Sequence, residues 1–360
     1  MGRTLKILAI DTSCDETSAA VTEKNHVLSN IVWSQASLHA KFGGVYPSLA
    51  RREHKQKIDW IIEKALKASK TKITQVGAVS VTVGPGLAIA LEVGIQKAKE
   101  ISNEYNIPLI AVNHIEGHLL SCFALSKNSK ATTFYSKLFP AYGLVVSGGN
   151  TQFIYAVKLG KYDILADTVD DALGEALDKG ARLLGFGYPG ASVLEKFAQK
   201  GSEDSYSLPI PLLGKEGLHK FSYSGLKTAL VRLVEEIRKQ KGRLDKKDIQ
   251  NLAASYQKVA FTHAIKVIEK IIKENKYPVK NLFVGGGVSV NNNFRSRLRK
   301  ISRENSLSVH FPYSKKLCTD NAAMIGVTGY FAKQKGSYFK PQDLNSVDRL
   351  PKYKIDSVRY

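Results

Sequence analysis

Acidic residues are scarce in this chain: 32 Asp and Glu stand against 53 Lys and Arg, a formal net charge of +21. A field of that sign attracts polyanions, nucleic acid first among them, although a basic proteome or the demands of solubility produce such values too. No aromatic-rich RNA-binding signature accompanies the charge, so composition points to phosphate-backbone contact more than to base reading. The three cysteines, Cys14, Cys122 and Cys318, have no CxxC spacing, which excludes a disulfide framework and fits a reducing, cytoplasmic compartment. No stretch approaches the ~20 apolar residues of a membrane span. An apolar strand begins within the first few residues, so no secretory signal is expected. A low-complexity linker is missing as well, and any lobes must be joined by short crossings. What remains is an ordinary globular mix, 43% hydrophobic and 24% charged over 360 residues, enough for two domains.

Leu5-Lys-Ile-Leu-Ala-Ile10 reads as a buried strand ending in the polar cluster Asp11-Thr-Ser-Cys-Asp-Glu-Thr17. Strands at 18–22 and 27–33 follow. The same grammar returns with strands at 142–146, 153–157 and 162–166 and the polar turn Ser147-Gly-Gly-Asn-Thr151. Two copies about 135 residues apart suggest a duplicated lobe, as in the actin, Hsp70 and sugar-kinase architecture. Ile58, Ile61, Ile62, Ala65 and Leu66 share one helical face and predict a helix over 52–69. A β-branched strand at 76–83 is halted by Gly84-Pro-Gly86, with a helix expected through Ser102. The stretch 170–273 reads as mostly helical, 320–335 as a last helix, and the rest as a polar, extended tail. The expected fold is therefore α/β: duplicated actin-like (ribonuclease H-like) lobes, a central nucleotide cleft and a helical insertion in the second lobe. The expected divisions are 1–112, 113–318, a terminal helix at 319–345 that returns to the first lobe, and a tail at 346–360.

Three groups of residues carry candidate chemistry. In His114-Ile-Glu-Gly-His118 the imidazoles lie four apart, on one face of a helix, so both can meet one metal ion; a chance pair on a solvated face is the plain alternative. A zinc-protease HExxH is absent: Glu116 falls roughly 200° around the helix from His114 and faces away. Asp320, at a loop-to-helix junction where N-caps also occur, offers a third ligand. Two His and one carboxylate with open positions suit Fe(II) or Zn(II). The second group is the turns Ser147-Gly-Gly-Asn-Thr151 and Gly285-Gly-Gly-Val-Ser289. Each follows an apolar strand, where glycines let backbone N–H groups approach a phosphate or sugar. No Walker A sequence is present, which excludes a P-loop site. The third is the acids Asp11, Asp15, Glu16, Asp170, Asp171, Glu175 and Asp178, which either face a cleft or simply start helices.

Taken in order, ten stretches resemble one family. They are Asp11-Thr-Ser-Cys-Asp-Glu-Thr17, Phe42-Gly-Gly-Val-Tyr-Pro47 with Arg52-Glu-His54, Val83-Gly-Pro-Gly86, Asn113-His-Ile-Glu-Gly-His118 and Val146-Ser-Gly-Gly-Asn-Thr-Gln152. Then come Asp170-Asp-Ala-Leu-Gly-Glu175, Tyr188-Pro-Gly190, Phe221-Ser-Tyr-Ser-Gly-Leu-Lys-Thr228, Gly285-Gly-Gly-Val-Ser289 and Cys318-Thr-Asp-Asn321. The chain is similar to the bacterial-type tRNA N6-adenosine threonylcarbamoyltransferases, once labelled sialoglycoprotein endopeptidases, over about residues 5–335.

The resemblance implies transfer of a threonylcarbamoyl group from threonylcarbamoyl-adenylate to N6 of the adenosine 3′ of the anticodon, in tRNAs reading codons that begin with A, with release of AMP. It implies one Fe(2+) per subunit, or Zn(2+), on His114, His118 and Asp320. Val145, Val146, Ser147, Gly148 and Gly149 would cradle the adenylate. Asp178, Ala191, Glu195 and Asn291 would contact its ribose and adenosine. Asp15 or Glu16 is expected to take the proton of the attacking amine. The basic segment Arg295–Arg303 is a candidate for the tRNA backbone. Implied partners are tRNA, a smaller inactive paralogue, a P-loop ATPase and an upstream adenylate synthase; no membrane is implied. Asp11 replaces the family's usual Glu, Ala191 a frequent Gly, and Asn150 the His common in bacterial members. A small-molecule kinase or ATPase of the same fold is the alternative, and it leaves the histidine pair unexplained.

Overall fold

The computed structural model describes residues 5–130, 135–274 and 278–360. The chain begins with β1 (Lys6–Asp11), β2 (Glu16–Glu23), β3 (His26–Ser34), α1 (Ala36–His39), α2 (Pro47–Ser69), β4 (Ala78–Gly84), α3 (Ala88–Tyr105), β5 (Leu109–Asn113), α4 (His114–Leu120) and β6 (Leu125–Ser126). It continues with β7 (Ala141–Val146), β8 (Thr151–Lys158), β9 (Lys161–Thr168), α5 (Leu173–Leu183), α6 (Ala191–Ala198), β10 (Lys220–Phe221), α7 (Ser224–Lys241), α8 (Lys246–Lys273), β11 (Asn281–Gly285), α9 (Asn292–Glu304), β12 (Ser308–His310) and α10 (Ala322–Gln334).

The sheets have strand orders β5-β4-β1-β2-β3-β6 and β10-β9-β8-β7-β11-β12. In each, the first strand of its copy (β1 or β7) runs antiparallel to the next and parallel to the strand that follows the helical crossover. The duplication seen in the sequence is thus a duplication of topology. The copies differ between the third strand and that crossover: α1 and α2 fill the gap in the first lobe, α5 to α8 in the second. The extra helices are the insertion.

β1 carries Ile7, Leu8, Ala9 and Ile10 with no exposed surface, because both faces of its sheet are covered. On one face α2 lays down Ile58, Ile61, Ile62 and Ala65. On the other, α10 packs with Met324, Ile325 and Val327 in a cluster that includes Ile115 and Leu119 of α4 and Val145 and Ile154 of the second sheet. Each such aliphatic side chain contributes about 1.5–3 kcal/mol on burial. α4 and α10 therefore form a middle layer between the two sheets, with His114 and His118 on α4 and Asp320 just ahead of α10.

Helix limits differ from the sequence expectation where caps decide them. α2 starts at Pro47, not Arg52, with proline in the first turn, where its missing N–H costs nothing. α10 starts at Ala322 with Asn321 as its cap, accepting from the Met324 N–H at 3.2 Å, so Asp320 is left free of capping. The tail is not the extended polar segment expected. The Leu350 N–H donates to the Val83 carbonyl at 2.6 Å and the Gly86 N–H to the Pro351 carbonyl at 3.2 Å, and Ile355 and Val358 are buried. Among the described residues no helix is long and apolar enough to cross a membrane.

Gly286 sits where β11 passes β7, at φ +90°, and a Cβ there would lie 2.3 Å from the Val146 carbonyl oxygen. Gly287 beside it has open space, Thr319 Cγ2 at 3.9 Å being its nearest neighbour. Gly286→Ala should therefore destabilise the fold by about 1–3 kcal/mol or more, whereas Gly287→Ala should leave the urea midpoint within experimental error. Equal midpoints for the two variants would contradict the close approach.

Candidate active site

The turn after β1 is pinned from three sides. Asp11 is fully buried, and its Oδ1 accepts from the Ser13 N–H at 3.2 Å. The Thr12 hydroxyl donates to the Ala90 carbonyl of α3 at 2.8 Å. His54 of α2 meets the Cys14 carbonyl with Nε2 at 3.0 Å and the Thr17 hydroxyl with Nδ1 at 2.8 Å. A carbonyl only accepts, so Nε2 carries the proton and Nδ1 receives the hydroxyl's. So held, the turn presents Ser13 to Glu16 to a cleft of about 640 Å³ between the lobes. Burial, then Asp15 and Asp320, push the Glu16 carboxyl well up, so that it holds a proton more tightly than a free carboxyl does. Burial and the same acids push the Cys14 thiol well up, which keeps it protonated.

Across β5, Asn113 caps α4: its Oδ1 accepts from the N–H groups of Ile115 and Glu116 at 2.9 and 3.1 Å. The helix starts on His114 and brings His118 beneath it, rings 4.7 Å apart and nearly perpendicular. Asp320 Oδ1 lies 3.1 Å from His118 Nε2 and 3.5 Å from His114 Nε2, and Asp11 Oδ1 lies 3.8 Å from His114 Nδ1. Burial alone would push the His114 imidazole down; Asp320 and Asp11 outweigh it and hold it up at about 10. His118 is pushed down by burial and by its cationic neighbour, against Asp320. These are the electrostatics of a site that attracts positive charge. Its donor atoms also fit a metal, since one atom from each of His114, His118 and Asp320 lies within 4.8 Å of the others. Nδ1 of His114 and of His118 and Oδ2 of Asp11 are buried with no hydrogen-bond partner. Two imidazoles and a carboxylate suit a borderline divalent ion. Glu116 faces away as its spacing requires, buried and accepting from the Tyr162 hydroxyl at 2.7 Å. Burial pushes its carboxyl up to about 7, and it has no access to the cleft chemistry.

The opposite wall is the turn after β7. The Ser147 N–H donates to the Asn150 carbonyl at 2.8 Å, and the Asn150 N–H to the Ser147 hydroxyl at 3.1 Å. α5 abuts it through the Gly174 N–H to the Ser147 carbonyl, 3.2 Å. Gly148 and Gly149 face open space, with no atom within 4 Å of where a Cβ would be and neither in the left-handed region. Steric room, and not an unusual φ, is what their bare backbone provides. Val145 and Val146 are fully buried in two different clusters on opposite faces of β7; they hold the turn and do not line the cleft. Asp178 lines it, with one carboxylate oxygen accepting from the N–H groups of Gly190 and Ala191 at 2.8 and 2.7 Å. Ala191 enters the site only through that bond. Glu195 and Asn291 lie apart from the main cleft. Glu195 accepts from the Asn292 N–H at 3.1 Å beside a smaller pocket. Asn291 caps α9 and donates to Gln257 at 2.8 Å.

The sequence reading assigned no role to Arg182 or to the loop Gly43–Val45, yet the Arg182 guanidinium donates to the Gly43 carbonyl at 2.7 Å and ties the two lips of the cleft. The Phe42–Pro47 motif flagged the loop, but nothing in it named a partner 139 positions away. Of the arginines expected to face tRNA, Arg295 bonds the Ser289 carbonyl at 2.5 Å and Arg297 pairs with Glu203 at 2.9 Å; both are committed inside the protein.

A family model described as TsaD: tRNA N6-adenosine threonylcarbamoyltransferase matches residues 26–327. Curated proteins of the same name are similar over nearly the whole chain. That of Clostridium novyi is 38% identical over 97% of this chain and 98% of its own length. That of Caldicellulosiruptor saccharolyticus is 41% identical over 92% and 94%. Among solved structures, component A of the (R)-2-hydroxyglutaryl-CoA dehydratase of Acidaminococcus fermentans aligns over 92% of this chain and 100% of its own, with a TM-score of 0.53 at 13% identity. Full-length HypF aligns over 93% and 56%, with a TM-score of 0.54 at 14% identity. These two speak for the duplicated actin-like fold alone.

The turn that starts α7 yields a test of the electrostatics. Asp170 accepts from the Ser222 and Ser224 hydroxyls at 2.6 and 2.7 Å, and His263 Nε2 accepts from the Ser222 N–H at 3.1 Å. Protonating that nitrogen would set a donor against a donor. Burial pushes the imidazole down to about 4, against the Pro211 carbonyl and Asp170. The folded value lies below the ordinary ~6.5 of the unfolded chain. His263 therefore contributes stability that is full above about 6.5 and lost as pH falls toward about 4, at no more than about 1.4 kcal/mol per pH unit. The urea midpoint of His263→Gln should fall less steeply than wild type over that window, and parallel profiles would refute the assignment.

Proposed function

As the chain belongs to the tRNA N6-adenosine threonylcarbamoyltransferase family, we propose that it moves the threonylcarbamoyl group of threonylcarbamoyl-adenylate onto N6 of the adenosine 3′ of the anticodon, in tRNAs reading codons that begin with A, and releases AMP. The observation that carries the reading is one cleft walled by three distant segments: the acids Asp15 and Glu16, the cluster of His114 and Asp320, and the bare turn Gly148–Gly149. A reaction that moves an acyl group from an adenylate to a second adenosine needs all three in one place. The family places the chain among the transferases, and no feature of the site favours the kinase reading over it.

In this proposal the N–H groups of Gly148 and Gly149, in the turn seated on the start of α5, hold the adenylate phosphate. His114, His118 and Asp320 hold one Fe(2+), with Zn(2+) as the other candidate; when bound, it supplies Lewis-acid polarisation of an oxygen. The N6 amine attacks the carbamoyl carbon, an N–C bond forms, the C–O bond to phosphate breaks, and AMP leaves with that electron pair. The amine's surplus proton passes to Asp15 or Glu16. The rigid mounting of the turn by His54, Thr12 and Gln35, whose N–H donates to the Asp15 carbonyl at 2.9 Å, fixes where that acceptor stands. Asp178, Ala191, Glu195 and Asn291 are assigned to the ribose and adenosine side. A smaller inactive paralogue, a P-loop ATPase and an adenylate-making synthase are the proposed partners, in the cytoplasm.

Two measurements test this. Purified protein should carry about one transition-metal ion per chain, lost in His114→Ala and in Asp320→Ala with circular dichroism unchanged; full retention in both would sink the metal assignment. Gly149→Val places a β-branched side chain in the donor's space, its Cβ more than 4 Å from any atom beyond its chain neighbours. It should fold, keep its metal and lose calorimetric binding of a non-hydrolysable threonylcarbamoyl-adenylate analogue. Normal binding by the folded variant would move the cradle elsewhere.

A further inference from the structure

Two aromatic rings stand uncovered on the lip of the cleft. Phe42 and Tyr46 are each 50% exposed, and they stack on one another with centroids 5.0 Å apart and planes 19° from parallel. The Lys41 ammonium lies 5.2 Å from the Phe42 ring centre. Between the two rings, Gly43, Gly44 and Val45 line the cleft itself. The backbone that carries them is fixed. Gly43 turns the chain at φ +68°, with its N–H on the Ala40 carbonyl at 3.1 Å. The Tyr46 N–H donates to Nδ1 of the fully buried His39 at 3.2 Å, and His39 is held in turn by Gln35 at 3.0 Å. Arg182 of the other lobe fixes the Gly43 carbonyl. The rings are therefore mounted facing outward, on a support that reaches across both lobes.

We propose that Phe42 and Tyr46 are a stacking platform for an unpaired base of the tRNA next to the adenosine that enters the cleft. The inference rests on the reading of tRNA as acceptor. Bringing N6 of one base into the cleft takes that base out of its stack, and its neighbour loses a stacking face. A flat, preformed aromatic pair restores one, in a sequence-tolerant way, because every base has a π-face. Lys41 places a positive charge over the Phe42 ring, on a flexible side chain that can swing to a phosphate of the same strand when a base takes its place. A protein partner fits less well, because two rings and the neighbouring Leu38 fall far short of the about 800 Å² per partner of a stable interface. The composition pointed to phosphate contact; this platform adds a base contact that two residues suffice to make.

The test is fluorescence anisotropy with the full chain and full-length unmodified tRNA, either intact or carrying an abasic nucleotide immediately 5′ or 3′ of the target adenosine. Phe42→Ala with Tyr46→Ala should weaken binding of intact tRNA by about 5- to 150-fold. One abasic tRNA should lose a similar factor on wild type and bind the double variant no worse than intact tRNA does, since ring and base then act as one contact. Phe42→Trp should retain binding. Binding of the donor analogue, unchanged in the double variant, shows the cleft intact. Wild-type affinity of the double variant for intact tRNA would overturn the platform and leave the rings to a protein partner. An equal loss on intact and both abasic tRNAs would overturn it too. A wild-type chain that binds no tRNA would sink the acceptor reading itself, and the platform with it.

Discussion

Asp320 faces two imidazoles of another chain segment, His118 at 3.1 Å and His114 at 3.5 Å, in the layer between the two sheets. Burial alone would raise this carboxyl, but the two rings outweigh it and hold it well below the usual range. Charged groups in such a place are tolerated only while paired, and losing one partner leaves the others uncompensated at a cost of several kcal/mol. The cluster therefore demands that α4 and the start of α10 stay in register. The cap by Asn113, the cap by Asn321 and the packing of Ile115 and Leu119 beside Met324 and Ile325 meet that demand. The lobes then hang on this layer: β1 and β2 on one side, β7 and β11 on the other.

How much of this was legible beforehand depended on range. The histidine pair, the two Gly turns and the duplicated strand grammar are local patterns, and each stands where its spacing put it. The departure of Glu116 from the cleft was equally legible, from angle alone. What stayed hidden depends on who sits opposite. Asn291, which the family resemblance assigns to the adenylate, has a side chain that caps α9 and bonds Gln257, partners no motif names. Arg295 and Arg297 read as free positive charge, but are consumed by a carbonyl and by Glu203. The tail reads as solvated because it is polar, and a few apolar residues, Ile355 and Val358 among them, suffice to seat it. Long-range pairing leaves no period in a sequence.

Those commitments also refine what the net charge of +21 can mean. Lys179 is held by Asp171 and Glu175 at 2.5 and 2.9 Å, and Arg182 by a carbonyl across the cleft. Basic residues at the mouth thus stiffen it, and their charge is largely spent on partners within the protein. A pre-ordered mouth lowers the entropy cost of binding a large anionic partner. Here the basic side chains are fixed by carboxylates and a carbonyl, where a fully solvated patch would have left them mobile.

The same electrostatics decide which group in the cleft attacks. An acyl group could pass through a protein nucleophile or go directly to the acceptor amine. Cys14 is the thiol that lines the cleft, and burial with Asp15, Asp320 and Glu16 around it pushes its pKa well up. The thiolate is the reactive form, so this cysteine is the reverse of an activated one. The Ser147 hydroxyl is occupied as acceptor of the Asn150 N–H, and His54, which holds the turn after β1, has both nitrogens engaged by Cys14 and Thr17. A hydroxyl without a base to take its proton is a weak nucleophile. What the cleft does supply is the Asp15 and Glu16 carboxyl groups facing bare backbone at Gly148 and Gly149, an arrangement in which a neutral amine can attack a carbonyl held beside it. Direct transfer is the path these residues favour.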